Sequence, residues 1–107
     1  MEKIDTPSTT YSTMEIIGEG IGSWNDGIKM TQSTFDSSVW YAENVVFTAK
    51  EYKFRTDNTW THNWGTKTDA LFGTLTKGDS NNITMKKAGT YNVYFNSHTG
   101  EYTLIAK

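Results

Sequence analysis

Apolar side chains recur along this chain at every second position in short runs, and no stretch carries the 3.6-residue spacing of a helix. The final hairpin shows this most clearly. Tyr91, Val93 and Phe95 share one face, residues 97–100 form a turn, and Tyr102 and Leu104 return. In residues 51–55, Tyr52 and Phe54 alternate with Glu51, Lys53 and Arg55, which places rings on one face and charges on the other. The longest apolar run, residues 39–48, is rich in β-branched and aromatic residues, and Glu43-Asn44 interrupts its alternation, so a bulge or a break is expected there. Residues 14–17 read as a first strand, stopped by Gly18, Gly20 and Gly22. Residues 23–27 read as more loop, with Asn25-Asp26-Gly27 a turn signal. Short strands are predicted at 28–30 and 82–85, and a weak one at 70–75, broken by Gly73. Seven or eight short strands without a helix predict an all-β fold, an antiparallel β-sandwich.

Between the strand at 51–55 and Gly65 the periodicity stops, and a loop of Asp, Asn, Thr and His residues carries Trp60 and Trp64. Rings in such a loop are either folded back onto the core or presented to a partner. Composition sharpens the choice. The 107 residues suit one domain, with residues 1–12, rich in Thr and Ser around the lone Pro7, a polar linker and residues 13–107 the folded part. Aromatics make up 14% of a chain only 36% hydrophobic, so the core is thin and built from a few large rings. Ten basic and twelve acidic residues are spread without a basic run, which argues against nucleic acid or an anionic membrane and for a neutral ligand. The absence of cysteine excludes a disulfide framework and a thiol nucleophile. No apolar run is long enough to insert in a membrane, and the N-terminal residues lack a signal segment or a lipidation cysteine. If the natural protein is exported or anchored, that part is expected to lie outside this chain.

The ordered series Ile16-Ile17-Gly18, Trp24 after a Gly-rich loop, Met30, the run 39–47, Glu51-Tyr52-Lys53-Phe54-Arg55, Trp60, Asn63-Trp64-Gly65, Gly73, Asn82-Ile83 and Ala88-Gly89-Thr90-Tyr91 resembles the carbohydrate-binding domains of the SusE and SusF outer-membrane lipoproteins of Bacteroidetes. The likeness runs from about residue 14 to the end. It implies an immunoglobulin-like sandwich that holds α-glucan, such as starch or maltooligosaccharide, at the cell surface, without catalysis or cofactor, beside sister domains of a larger lipoprotein. Family sites pair two aromatic rings with a basic side chain. By position these are Trp24, Trp60 and Lys53, whereas Trp64 departs from the commonest pattern.

Sugar rings have apolar C–H faces edged by hydroxyls, so a binder needs flat aromatic surface and short polar groups beside it. Trp24, among turn signals, is either a ligand contact or loop packing. Trp60 has wet neighbours in Asp57 and Asn58 and is read as a contact, and Trp64 beside Gly65 is either a contact or a cover for a sheet edge. Trp40, inside the apolar run, belongs to the core. Lys53 and Arg55 face away from the interior and either donate to hydroxyls or form a solvated face, and Asn63 offers an amide that both donates and accepts. His62 and His98 lack a carboxylate cluster for a metal, and residues 79–82 lack an EF-hand's spacing. A glycosidase needs two carboxyls across a cleft, and nothing groups Glu43, Asp26, Asp57 and Asp69. Two readings remain: a glycan-binding module, and a structural spacer with its tryptophans packed away.

Overall fold

The period-two runs build two sheets that face each other. The computed structural model describes residues 11–56 and 60–107; residues 1–10, most of the expected linker, and the candidate loop residues Asp57 and Asn58 lie outside them. Sheet one comprises Glu15–Gly18 (β1), Ser23–Lys29 (β2), Glu51–Arg55 (β5), Asn63–Gly65 (β6) and Thr76–Lys77 (β8) in the order β2-β1-β5-β6-β8, with Ile83–Thr84 (β9) on the remaining part of β5. Sheet two comprises Thr31–Gln32 (β3), Val39–Phe47 (β4), Phe72–Thr74 (β7), Gly89–Asn96 (β10) and Glu101–Ala106 (β11) in the order β3-β4-β10-β11-β7. All strand pairs among them are antiparallel. The helical content among the described residues is one 3-10 turn, Glu19–Ile21. The all-β sandwich agrees with the sequence pattern. The strand count, eleven among the described residues, exceeds the expected seven or eight, because β3, β6, β7, β8 and β9 have two or three residues each, too few to leave an alternation.

Register decides which side chains meet. Phe54 of β5 stands opposite Ile16 of β1 and Trp64 of β6, so these three share the inner face of sheet one. From sheet two, Phe95 stacks on Phe54 at 4.5 Å between centroids and 4° between planes, and it meets the Trp64 ring edge-on at 5.2 Å. Such ring pairs add about 1 kcal/mol each beyond the area they bury. Trp40, Tyr52, Tyr91 and Val93 are buried with them, as their alternation predicted.

Two interruptions of the ladder matter. In β4, Val45 pairs with Tyr91 and Ala42 with Val93, so Glu43 and Asn44 together oppose Asn92. This is the bulge expected there. Asn44 takes a left-handed φ of 57°, which asparagine tolerates, and its N–H donates to Asn92 Oδ1 at 3.0 Å. The second interruption corrects the sequence reading: residues 23–27 belong to strand β2 and not to a loop. Ser23 pairs with Gly18 and Ile28 with Ile16, so the four residues Trp24 to Gly27 oppose the single residue Ile17. The turn-forming triplet Asn25-Asp26-Gly27 therefore makes an arch within a strand.

Candidate functional site

The arch covers the outer face of sheet one. Ladder partners put Glu15 of β1, Arg55 of β5 and Asn63 of β6 in one row on that face, with Ile17 and Lys53 in the next. A sheet face of this composition would normally be solvated. Here Glu15 and Arg55 are 6% and 4% exposed, and Ile17 is fully buried outside the main core. Ser23 Oγ accepts from the N–H groups of Asn25 and Asp26 at 2.9 and 3.0 Å, which fixes the turn that carries Trp24. Gly27 is required by close approach: a Cβ there would lie 2.8 Å from Glu15 Cδ and 2.7 Å from Ile16 O.

Beneath the arch, the Arg55 Nε–H donates to Glu15 Oε2, and the Arg55 Nη2 donates to the Asn25 carbonyl at 3.2 Å. The same guanidinium lies 4.7 Å from the centre of the Trp60 ring. Cation and ring attract more when water is kept from them, and here the guanidinium side is covered. Trp60 in turn meets Trp24 at 6.0 Å between centroids, with 41° between the ring planes. Trp60 is 44% exposed and Trp24 half-buried, so the pair forms a bent aromatic surface whose underside is charged and dry. Asn63 braces it from β6, its Nδ2 donating to the Trp60 carbonyl at 3.0 Å.

The six residues singled out from sequence are thus distributed unequally. Trp24 and Trp60 are brought together with exposed ring surface. Arg55 reaches the site as a support under Trp60 rather than as a group at the surface. Asn63 is also committed to the scaffold, with its Oδ1 buried. Lys53 points outward from the core, as expected, but is 5% exposed, and its Nζ donates to the Asp79 carbonyl. Burial pushes the Lys53 ammonium below its ordinary pKa, with nearby Asp79 acting the other way. The chain at 79–81 lies across Lys53 because Gly65 has no side chain; a Cβ there would meet Asn81 O at 2.2 Å and Lys53 Cε at 2.8 Å.

Trp64 is the clear departure from a contact role. It is 2% exposed, between Phe95 on one side and Tyr11, edge-on at 5.4 Å, on the other. Pairing opposite Phe54 turns it inward, so it has no free face for a ligand. Glu15, Asn25 and Gly27 are the site residues that sequence reasoning did not single out. Their signal was present only as the 25–27 turn triplet and as a carboxylate in β1 out of step with Ile16. Its meaning depends on β1 pairing with β5, forty residues away in sequence.

Three comparisons bear on identity. A family model described as SusF/SusE starch-specific carbohydrate-binding modules matches residues 13–103. Neither the curated proteins nor the solved structures contain a match. The matched stretch takes in both sheets up to the middle of β11, and with them the arch, the Glu15–Arg55 pair and both exposed tryptophans.

Proposed function

Because this chain belongs to the SusF/SusE family of starch-specific carbohydrate-binding modules, we propose that it binds α-glucan on the bent surface made by Trp24 and Trp60. One observation carries this reading: an exposed and a half-buried indole, Trp60 and Trp24, are inclined at 41°, with Trp60 resting on the guanidinium of a buried Arg55–Glu15 pair. An α-linked glucan curves, so successive sugar faces turn with respect to one another. Inclined rings follow such a chain, whereas a flat β-linked chain asks for coplanar rings. Asn25 and Asp26, exposed at the crest of the arch beside Trp24, supply polar groups for the hydroxyl edges.

The module does no chemistry on the sugar in this reading. Glu15 is spent on Arg55 beneath the rings, and a shallow surface gives a reacting sugar little enclosure. Two stacked rings support a Kd on the order of micromolar to millimolar. Useful retention then comes from repetition, with sister domains on one outer-membrane lipoprotein displaying several such surfaces at the cell exterior.

Calorimetric titration with maltoheptaose, cellohexaose and xylohexaose, followed in parallel by indole fluorescence, tests this. Saturable binding of the α-glucan alone is expected, strongly weakened in Trp24→Ala and Trp60→Ala. Silence with every sugar would favour a spacer domain instead.

A further inference from the structure

A second ring stands in the open on sheet two. Phe72, on edge strand β7, is 71% exposed, and it forms the wall between two depressions of about 530 and 290 Å3. The larger is floored by Leu71, Tyr91 and Ala106 and rimmed by Asp69, Lys86 and Lys87. The smaller is edged by Thr74, Glu101 and Thr103. A third, of about 160 Å3, continues past Glu101 and Thr103 to Tyr94, itself 37% exposed. Ladder partners explain the line: Thr103 pairs with Phe72 on one side and with Tyr94 on the other, so all three point from the same outer face. With neighbouring strands about 4.8 Å apart, the two rings are roughly 10 Å apart with a hydroxyl between them.

Charge narrows the occupant. The depressions along the Phe72–Thr103–Tyr94 line have one charged residue in their lining, Glu101, whereas Asp69, Lys86 and Lys87, with Lys86 3.8 Å from Asp69, border the larger depression beyond Phe72. A phosphate polymer or an acidic peptide gains nothing beside that carboxylate. Two separated rings with the Thr103 hydroxyl and the Glu101 carboxylate beside them fit a neutral chain of sugar rings. The geometry points to a second glucan-binding track, Phe72–Thr103–Tyr94, in addition to the Trp24–Trp60 surface. It rests on the reading of this module as an α-glucan binder. Phe72 and Tyr94 stack on sugar faces, and Thr103 and Glu101 bond hydroxyls between them.

The two surfaces lie on opposite sheets. Lys86 and Lys87 follow Met85, whose N–H bonds Lys50 just before β5, while Trp60 follows the far end of that strand. A long chain that wraps the module engages both, and a short one engages one at a time, so the gain is confined to long glucans.

The test uses three proteins: the unaltered chain, Phe72→Ala with Tyr94→Ala, and Trp24→Ala with Trp60→Ala. The substituted rings on sheet two are exposed, and circular dichroism checks that the fold is kept. Amide NMR titration of the tryptophan variant with maltoheptaose is expected to show weak saturable shifts at Gly73, Thr103 and Glu101. The Phe72/Tyr94 variant is expected to hold maltoheptaose as the unaltered chain does at Trp24 and Trp60, and to bind long maltodextrin about tenfold more weakly. Unchanged long-chain affinity, or no shift at Gly73 and Thr103, overturns the second track and leaves the tryptophan surface standing. Self-association by sedimentation that disappears with Phe72→Ala also overturns it, by making a second copy the occupant. If the tryptophan variant binds as well as the unaltered chain while shifts persist at Thr103, the first surface fails and this one stands.

Discussion

Replacing Glu15 by Gln tests whether the aromatic surface depends on the ion pair below it. Both partners are almost fully buried, and Arg55 touches Glu15, the Asn25 carbonyl and the Trp60 ring at once. Removing one charge of a buried pair costs about 3–5 kcal/mol. The Gln side chain keeps an oxygen for the Arg55 Nε–H, and a bond from a charged donor is worth about 1.5–3 kcal/mol, which sets the expected loss at about 2 kcal/mol. In a domain of this size that lowers Tm by roughly 10 °C, measured by thermal unfolding with tryptophan fluorescence. Sugar affinity should fall about tenfold, since Trp60 loses a fixed support. The double change Glu15→Leu with Arg55→Met separates the two effects. An apolar pair of similar volume should recover stability to within about 1 kcal/mol, while maltoheptaose affinity stays low. A Glu15→Gln midpoint within about 2 °C of the unaltered protein, or full affinity in the double variant, would refute the reasoning.

Other changes have sharper signs. Trp64→Ala should cost about 3–5 kcal/mol by opening a core cavity, whereas Trp60→Ala, four positions earlier, should cost under ~1 kcal/mol of stability while strongly weakening glucan binding; urea titration and calorimetry read the contrast. The Tyr52 hydroxyl is fully buried without a hydrogen-bond partner among the described residues, so Tyr52→Phe should stabilise the domain by about 1 kcal/mol at neutral pH, measured by urea unfolding. Burial also raises the Tyr52 phenol well above its ordinary pKa, and the same cause raises that of Tyr102. Above the ordinary phenol pKa of 10.0 the unfolded chain releases these protons and the folded chain keeps them. Stability should therefore fall with rising pH by about 1.4 kcal/mol per unit for Tyr52, and Tyr52→Phe should remove that slope in unfolding curves recorded across the alkaline range.

How far the chain could be read without coordinates followed from how local each determinant is. Alternation in β5, β10 and β11 fixed which residues entered the core, and the break at Glu43-Asn44 marked a real bulge, because each depends on neighbours in sequence. Residues 23–27 misled for the same reason. Asn, Asp and Gly do form a turn there, but pairing with β1 on both sides makes that turn an arch in a strand. Lys53 and Arg55 pointed outward as their phase required, yet their burial came from the arch and from the chain at 79–81, which no local pattern announces. Trp64 turned inward because β6 is registered so that it meets Phe54, and three residues cannot declare a phase. The site was therefore legible as rings near a basic strand. Its support, Glu15, was not, since a single charged residue acquires a role only through a contact between distant strands.

The lateral margins of the two sheets carry a separate consequence. Of the five edge strands among the described residues, β3, β7, β8 and β9 are two or three residues long, and only β2 offers seven, interrupted by its arch. Strands so brief present few unpaired amides in a row for another chain to zip onto. Molecules crowded shoulder to shoulder along one polysaccharide would thus stay separate particles instead of fusing into fibrils, and could come off the polymer singly when it is consumed.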